Sequence, residues 1–152
     1  MVDSESPDDL VNAYRSLIAD IYELAGLSRA TSETIAQAAG GPSVAQWHVM
    51  SVATDHPVTV PDIARRLGLT RQSVQRVVND LLDADLASLQ PNPSHKRSPL
   101  VVLSRRGKRS LEAANESSYE IRYQQLTEAG VTSTEMRAAR RSIRRLIAAV
   151  DS

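Results

Sequence analysis

Along most of the 152-residue chain, apolar positions recur every three or four residues, the period of a helix with one covered face. The spacing predicts a helix over residues 8–26, with Leu10, Tyr14, Leu17, Ile18, Ile21 and Leu24 or Ala25 on one side. A second, weaker helix over residues 31–39 is expected to end at the Gly40-Gly41-Pro42 break. Ser43 and Gln46 have the spacing of a capping box, which predicts a third helix carrying Val44, Trp47 and Met50. Farther on, Ser104 can cap a long helix through Leu111, Ala114, Ser118, Ile121 and Leu126 that stops at Gly130. Thr132 and Glu135 form another capping-box pair, opening a last helix with Met136, Ala139, Ile143, Leu146, Ile147 and Val150. The first residues, MVDSESPDD, are polar and acidic and are expected to be disordered.

Between these flanks, residues 59–86 read TVPDIARRLGLTRQSVQRVVNDLLDADL. Thr59 can cap a short helix, Pro61 and Asp62 suit its first turn, and Ile63, Ala64 and Leu67 share a face. Gly68 follows as a left-handed stop, with Leu69 placed for the accompanying apolar contact, and Thr70 restarts the chain as a second cap. Val74, Val77, Leu81 and Leu82 then form a covered stripe that turns Arg71, Gln72, Ser73, Gln75, Arg76 and Asn79 outward. This is the layout by which a helix-turn-helix presents a recognition helix to the major groove. An Arg fork matches guanine O6 and N7, and Gln or Asn amides match adenine N6 and N7. The short hydroxyls of Thr70 and Ser73 suit phosphate oxygens.

Residues 86–104 contain two apolar runs around a Pro- and Asn-rich connection with Lys96 and Arg97 near its tip, predicting a two-stranded hairpin with a basic end. Residues 42–116 as a whole, through PSVAQWHVM, ARRLGLTRQSVQRVVNDL, PNPSHKRSPLVVLS and SRRGKRSLEAA, resemble the MarR family of winged helix-turn-helix regulators. The resemblance implies a mainly α fold, with a winged helix-turn-helix, a two-stranded β wing and a helical dimerisation region built from both chain ends. It also puts Thr70, Arg71, Gln72, Ser73, Gln75, Arg76 and Asn79 on or at the recognition helix, and Lys96 with Arg97 at the wing tip. Two positions depart from the family pattern. His95 stands where the wing usually carries Asp, and Asp85 stands where Gly often follows the recognition helix.

Overall charge is neutral, with 18 basic and 18 acidic side chains, but its distribution is not. Residues 1–61 carry two basic and eight acidic groups, residues 62–109 ten and four, and residues 110–152 six of each, giving net −6, +6 and 0. The middle block therefore has the electrostatic footprint of a phosphate-binding surface. The expected organisation is residues 1–41 for dimerisation, 42–109 for DNA binding and 110–152 again for dimerisation. The terminal stripes fit either packing within one chain or interleaving between two, and the resemblance favours two. Two copies would set their recognition helices about one DNA turn apart on an inverted repeat.

The remaining chemistry is sparse. There is no cysteine, so neither disulfides nor thiol-based sensing is available. His48, His56 and His95 share no metal-ligand spacing, and no phosphate loop, activated nucleophile or carboxylate pair is recognisable. No enzyme, metal or cofactor is expected. No apolar run is long enough to span a membrane and no signal peptide is recognisable, so a cytoplasmic location is expected. The resemblance further implies a small aromatic or anionic effector held between the dimerisation helices and the DNA-binding lobe. The amphipathic side chains of Tyr14, Arg15, Trp47 and His48 stand near that junction, although Trp47 and Tyr14 read more readily as core and Arg15 as surface. The resulting expectation is a homodimeric repressor of duplex DNA. The competing reading is a winged-helix module that docks on protein instead, for which the polar recognition helix is poorly suited.

Overall fold

The computed structural model describes residues 6–151. In chain order these form α1 (Pro7–Ala39), α2 (Val44–Ala53), β1 (Val58–Thr59), α3 (Val60–Leu67), α4 (Arg71–Asp83), β2 (Ala87–Gln90), β3 (Leu100–Leu103), α5 (Arg105–Glu128) and α6 (Ser133–Val150). The chain divides into two compact units, one running to Ser117 and one starting at Ser118, with the division falling inside α5.

The first 33 helical residues are one helix, not the two expected from the apolar pattern. The polar stretch that weakens the pattern is helical all the same, and its hydroxyls are accommodated by bonding back one turn to carbonyls of the helix. Thr31 Oγ1 donates to the Leu27 carbonyl (3.0 Å), Ser32 Oγ to Ser28 (3.0 Å) and Thr34 Oγ1 to Ala30 (3.2 Å). The expected disorder of residues 1–9 is likewise corrected in part. Pro7 opens α1 and Asp8 and Asp9 sit in its first turn, where a missing N–H and negative charge are favoured. Residues 1–5 lie outside the described part.

The core of the first unit lies where α2, α3, α4 and the sheet converge. Met50, Ile63, Val74, Val78, Leu81 and Val101 are each completely buried. At about 1.5–3 kcal/mol for each large apolar side chain taken out of water, the three from α4 alone outweigh any single cap in fixing that helix. The buried set corrects the expected stripe by one position: Val78 is buried, while Val77 is only half-covered.

The sheet has three strands rather than a hairpin alone. β2 and β3 pair antiparallel from Ala87↔Leu103 to Gln90↔Leu100, and β1 adds to the other side of β3 through Val58↔Val101 and Thr59↔Leu100. Two residues are too short to show a period of two, so this strand left no pattern to read. The strand leads directly into α3, whose cap Thr59 accepts from the Asp62 N–H at 3.3 Å.

The caps foreseen at Ser43 and Thr132 are complete boxes. Gln46 N donates to Ser43 Oγ (3.2 Å) and Ser43 N to Gln46 Oε1 (3.0 Å). Glu135 N donates to Thr132 Oγ1 (3.2 Å) and Thr132 N to Glu135 Oε2 (2.7 Å). The second box starts α6, no residue of which is buried.

Candidate nucleic-acid interface

The turn before α4 is built from local chemistry. Gly68 adopts the left-handed conformation (φ 65°) that ends α3, and the Leu69 N–H reaches back to the Ala64 carbonyl at 2.9 Å. Thr70 then caps α4, its Oγ1 accepting from the Ser73 N–H at 3.1 Å. The Thr70 hydroxyl donates to Ser73 Oγ (3.1 Å), which donates in turn to the Thr70 carbonyl (2.9 Å). Both hydroxyl hydrogens are thus engaged in holding the helix start, so any donation to a phosphate requires them to turn.

With Val74, Val78 and Leu81 inward, helical geometry turns Gln72, Gln75, Arg76 and Asn79 away from the core, and Arg71 is open because it is the first residue of the helix; all five are exposed, while Ser73 is half-buried. Gln75 Nε2 donates to Asn79 Oδ1 at 2.9 Å, one turn on. This pair leaves the Gln75 carbonyl oxygen free to accept and the Asn79 amide free to donate. Arg71 and Arg76 have no ion-pair partner among the described residues. The face therefore combines two uncommitted forks with an ordered amide pair.

The wing connection between β2 and β3 carries Lys96 and Arg97, both exposed and both without an ion-pair partner among the described residues. Its shape comes from Asn92, a residue whose role was not read from the sequence. Asn92 Nδ2 donates to the Ser98 carbonyl (2.9 Å), its Oδ1 accepts from Ser94 N (3.0 Å), and its carbonyl accepts from His95 N (3.2 Å). A neutral side chain thus spans the loop, and among the described residues no ion pair braces His95.

The end of α4 is joined to the start of α5 at Asp85, the position singled out in the sequence because Gly often stands there. Asp85 takes the left-handed conformation (φ 56°), and the Leu86 N–H closes on the Leu81 carbonyl at 2.8 Å. Ser104 Oγ donates to the Asp85 carbonyl (2.7 Å) and accepts from Gly107 N (2.9 Å), while Ser104 N donates to the Leu86 carbonyl (3.0 Å). Gly107 is buried against that same Leu86 carbonyl, where any Cβ would collide with it. The cap at Ser104 was legible, but its bond across 19 residues was not. A glycine in the first turn of a helix was the available signal, because it costs about 0.5–1 kcal/mol relative to Ala unless something needs the space.

The remaining cations of the middle block include one that is paired. Arg65 forms a salt bridge with Asp62 one turn away at 3.2 Å, an exposed pair of small energetic weight. Among the described residues no cluster of His, Cys, Asp or Glu could hold a metal ion, and no helix is long and apolar enough to cross a membrane. A cavity of about 130 Å³ lies beside Trp47, walled by Ile35, Ala36, Pro42, Ala113 and Ala114. Trp47 is buried there, its Nε1 donating to Asn115 Oδ1 at 2.9 Å. Tyr14 and Arg15 are exposed on α1 and His48 is half-buried on α2.

The comparisons agree with this geometry. Residues 41–98 match the MarR family model. The uncharacterised protein Rv2011c of Mycobacterium tuberculosis is 46% identical over 134 residues, covering 88% of this chain and 92% of its own. A MarR/EmrR family transcriptional regulator from Acinetobacter sp. ADP1 superposes with a TM-score of 0.71 at 25% identity, covering 90% and 96% of the two chains. The Mycobacterium tuberculosis MarR family protein Rv2887, solved in complex with p-aminosalicylic acid, superposes with a TM-score of 0.64 at 19% identity, covering 86% and 97%. A helix-turn-helix with a sheet-borne wing, matched in sequence across its centre and in fold across nearly its whole length, identifies the chain as a member of the MarR family of winged-helix transcription regulators.

Proposed function

We propose that two copies of this chain bind an inverted repeat in duplex DNA and repress transcription there. In this reading Arg71, Gln72, Gln75, Arg76 and Asn79 read or approach base edges in the major groove. Thr70 and Ser73 lie against phosphate, and Lys96 and Arg97 grip the backbone or minor groove. The observation that carries the reading is the recognition face itself, where exposed, unpaired Arg71 and Arg76 flank an ordered Gln75–Asn79 amide pair on a helix whose opposite side is completely buried. A face of that composition suits a groove of fixed donors and acceptors better than a protein surface, which favours aromatic and apolar anchors at its centre.

Residues 42–109 serve as the DNA-binding lobe, and residues 1–41 and 110–152 as the dimerisation region. The apolar side chains left exposed at Leu10, Leu24 and Leu27 of α1 and at Met136 and Val150 of α6 support assembly through these flanks. The Trp47 cavity is a candidate place for a small aromatic or anionic effector, in line with the ligand named for Rv2887. Such a molecule would act only by binding one arrangement of the recognition helices better than the other.

The test is a fluorescence titration of the full chain against the promoter region beside its own gene in about 50 and 200 mM salt, where affinity should fall by about 0.9 log units per neutralised phosphate for each log unit of salt. Arg76→Ala should cost about 1–3 kcal/mol of binding while leaving thermal unfolding unchanged. Equal binding by the variant removes Arg76 from the interface, and a flat salt response removes DNA as the partner.

A further inference from the structure

We infer that the arginine row of α6 is a second, sequence-independent surface for the phosphate backbone of duplex DNA, separate from the recognition helix. The inference goes beyond the reading above, because it concerns a different helix in the other compact unit and does not need α4 to read bases.

α6 holds Arg137, Arg140, Arg141, Arg144 and Arg145, five guanidiniums within nine residues, and residues 136–150 contain no acidic side chain. Steps of three and four place the five on one arc of the helix, as a row about 12 Å long. The middle of this arc lies about 140° around the helix from the middle of the apolar arc of Met136, Ile143, Leu146, Ile147 and Val150. Covering the apolar side therefore leaves the arginines open. All five are exposed, and Arg140, Arg141, Arg144 and Arg145 line one open groove with Ala138 and Ser142. Arg137 and Arg145 reach only the hydroxyls of Thr134 (3.2 Å) and Ser142 (3.4 Å), and none of the five has a carboxylate partner among the described residues. Like charges one turn apart destabilise a helix, so the row carries repulsion that an anion would relieve.

A regular row of cations fits a regular row of anions. About 12 Å of duplex carries about seven phosphates, and a guanidinium fork meets phosphate oxygens bidentately, as an ammonium does not. Every cation of α6 is arginine. An acidic protein surface fits less well, because the arginine arc offers no aromatic or large apolar side chain to anchor a protein interface. A lipid surface also fits less well, since the apolar arc of α6 has neither Trp nor Phe, the side chains that anchor interfacial helices. Phosphate contacts carry no sequence information, so the row adds affinity for any duplex alike.

Removal of charge in the full chain tests this. A variant with Arg141→Gln and Arg144→Gln keeps good helix formers in place, and circular dichroism and sedimentation check its fold and assembly. In about 50 mM salt it should bind a short fluorescent duplex of arbitrary sequence about tenfold or more weakly than the wild type, with a log-log salt slope shallower by about 1.8, or 0.9 for each phosphate released. Arg141→Lys with Arg144→Lys keeps the charge and should recover most of that binding. If the glutamine pair disturbs the fold, Arg137→Gln with Arg140→Gln samples the same row. In a chain whose recognition helix is disabled by Arg71→Ala and Arg76→Ala, the duplex binding that remains should fall again when the α6 substitutions are added. Equal duplex binding with and without the α6 substitutions overturns the inference, whatever Arg76→Ala does to promoter binding. A variant that binds duplex like the wild type but loses binding to polyglutamate or to phosphatidylserine vesicles also overturns it, because the row then serves an acidic protein or a lipid surface. Loss of assembly by a folded α6 variant places the row between copies of the chain and overturns it as well. Promoter affinity insensitive to Arg76→Ala, with duplex binding still weakened in the α6 variant, removes the recognition-helix reading and leaves this one standing.

Discussion

α4 and α6 are both amphipathic helices with arginine on the polar side, yet Val74, Val78 and Leu81 of α4 are wholly buried whereas no residue of α6 is buried at all. Their sequences differ little in patterning; their surroundings differ completely. α4 packs on α2, α3 and β2 within one compact unit, so its stripe is covered by its own chain. α6 keeps Met136 at 50% and Val150 at 73% exposure. Helical periodicity therefore reports that a face requires cover, without saying which molecule provides it.

Mutations can separate these two cases. The largest effect is expected for Leu81→Ala, where loss of a fully buried side chain should lower unfolding stability by about 2–5 kcal/mol at every protein concentration. A denaturant midpoint unmoved by that change would break the contrast at its strong end. Gly107→Ala should follow, at about 1–3 kcal/mol, because the new methyl must displace the Leu86 carbonyl that ties α4 to α5. Here calorimetry should find a lower Tm, and an unchanged Tm would mean the joint yields freely. In α6, Met136→Ser should weaken dimerisation by about 1 kcal/mol, roughly fivefold, with the change in Tm growing as protein concentration rises. A change independent of concentration would show that Met136 is covered within its own chain.

The smallest effect concerns the start of α6. The Thr132 hydroxyl, and after it the Thr132 N–H, hold the Glu135 carboxyl below the usual glutamate range. A depressed folded-state pKa means that this cap contributes fully above the ordinary glutamate value and is lost as pH falls through the lowered one. The acid-side helicity loss of the wild type, minus that of Glu135→Gln, should show this step by circular dichroism, and superimposable profiles would remove it.

Much of the site was legible because its signals are short-range. Gly68, Thr70, Ser43 with Gln46 and Thr132 with Glu135 act within a turn of themselves, and each does in the fold what its spacing predicts. The outward set from Gln72 to Asn79 followed from helical phase, and Arg71 from its place at the helix start. The phase itself was one position uncertain, since two adjacent apolar pairs, at 77–78 and 81–82, allow either Val to point inward. Packing on α2 and α3 chose Val78. α1 looked divided because hydroxyl side chains weaken a pattern of apolar residues, although those hydroxyls find acceptors on the helix itself, one turn back.

Elements with local causes, such as capped helices, a left-handed stop and a charge-segregated centre, were determined by the residues at those positions, because the interactions involved span four residues or fewer. Distant meetings were decided only when the chain folded. The two-residue strand β1 exists because β3 offers it an edge, Ser104 reaches Asp85 across 19 residues, and Trp47 reaches Asn115 across 68. No window of sequence contains both partners of such a contact, so its energy belongs to the packing of elements and not to any one of them.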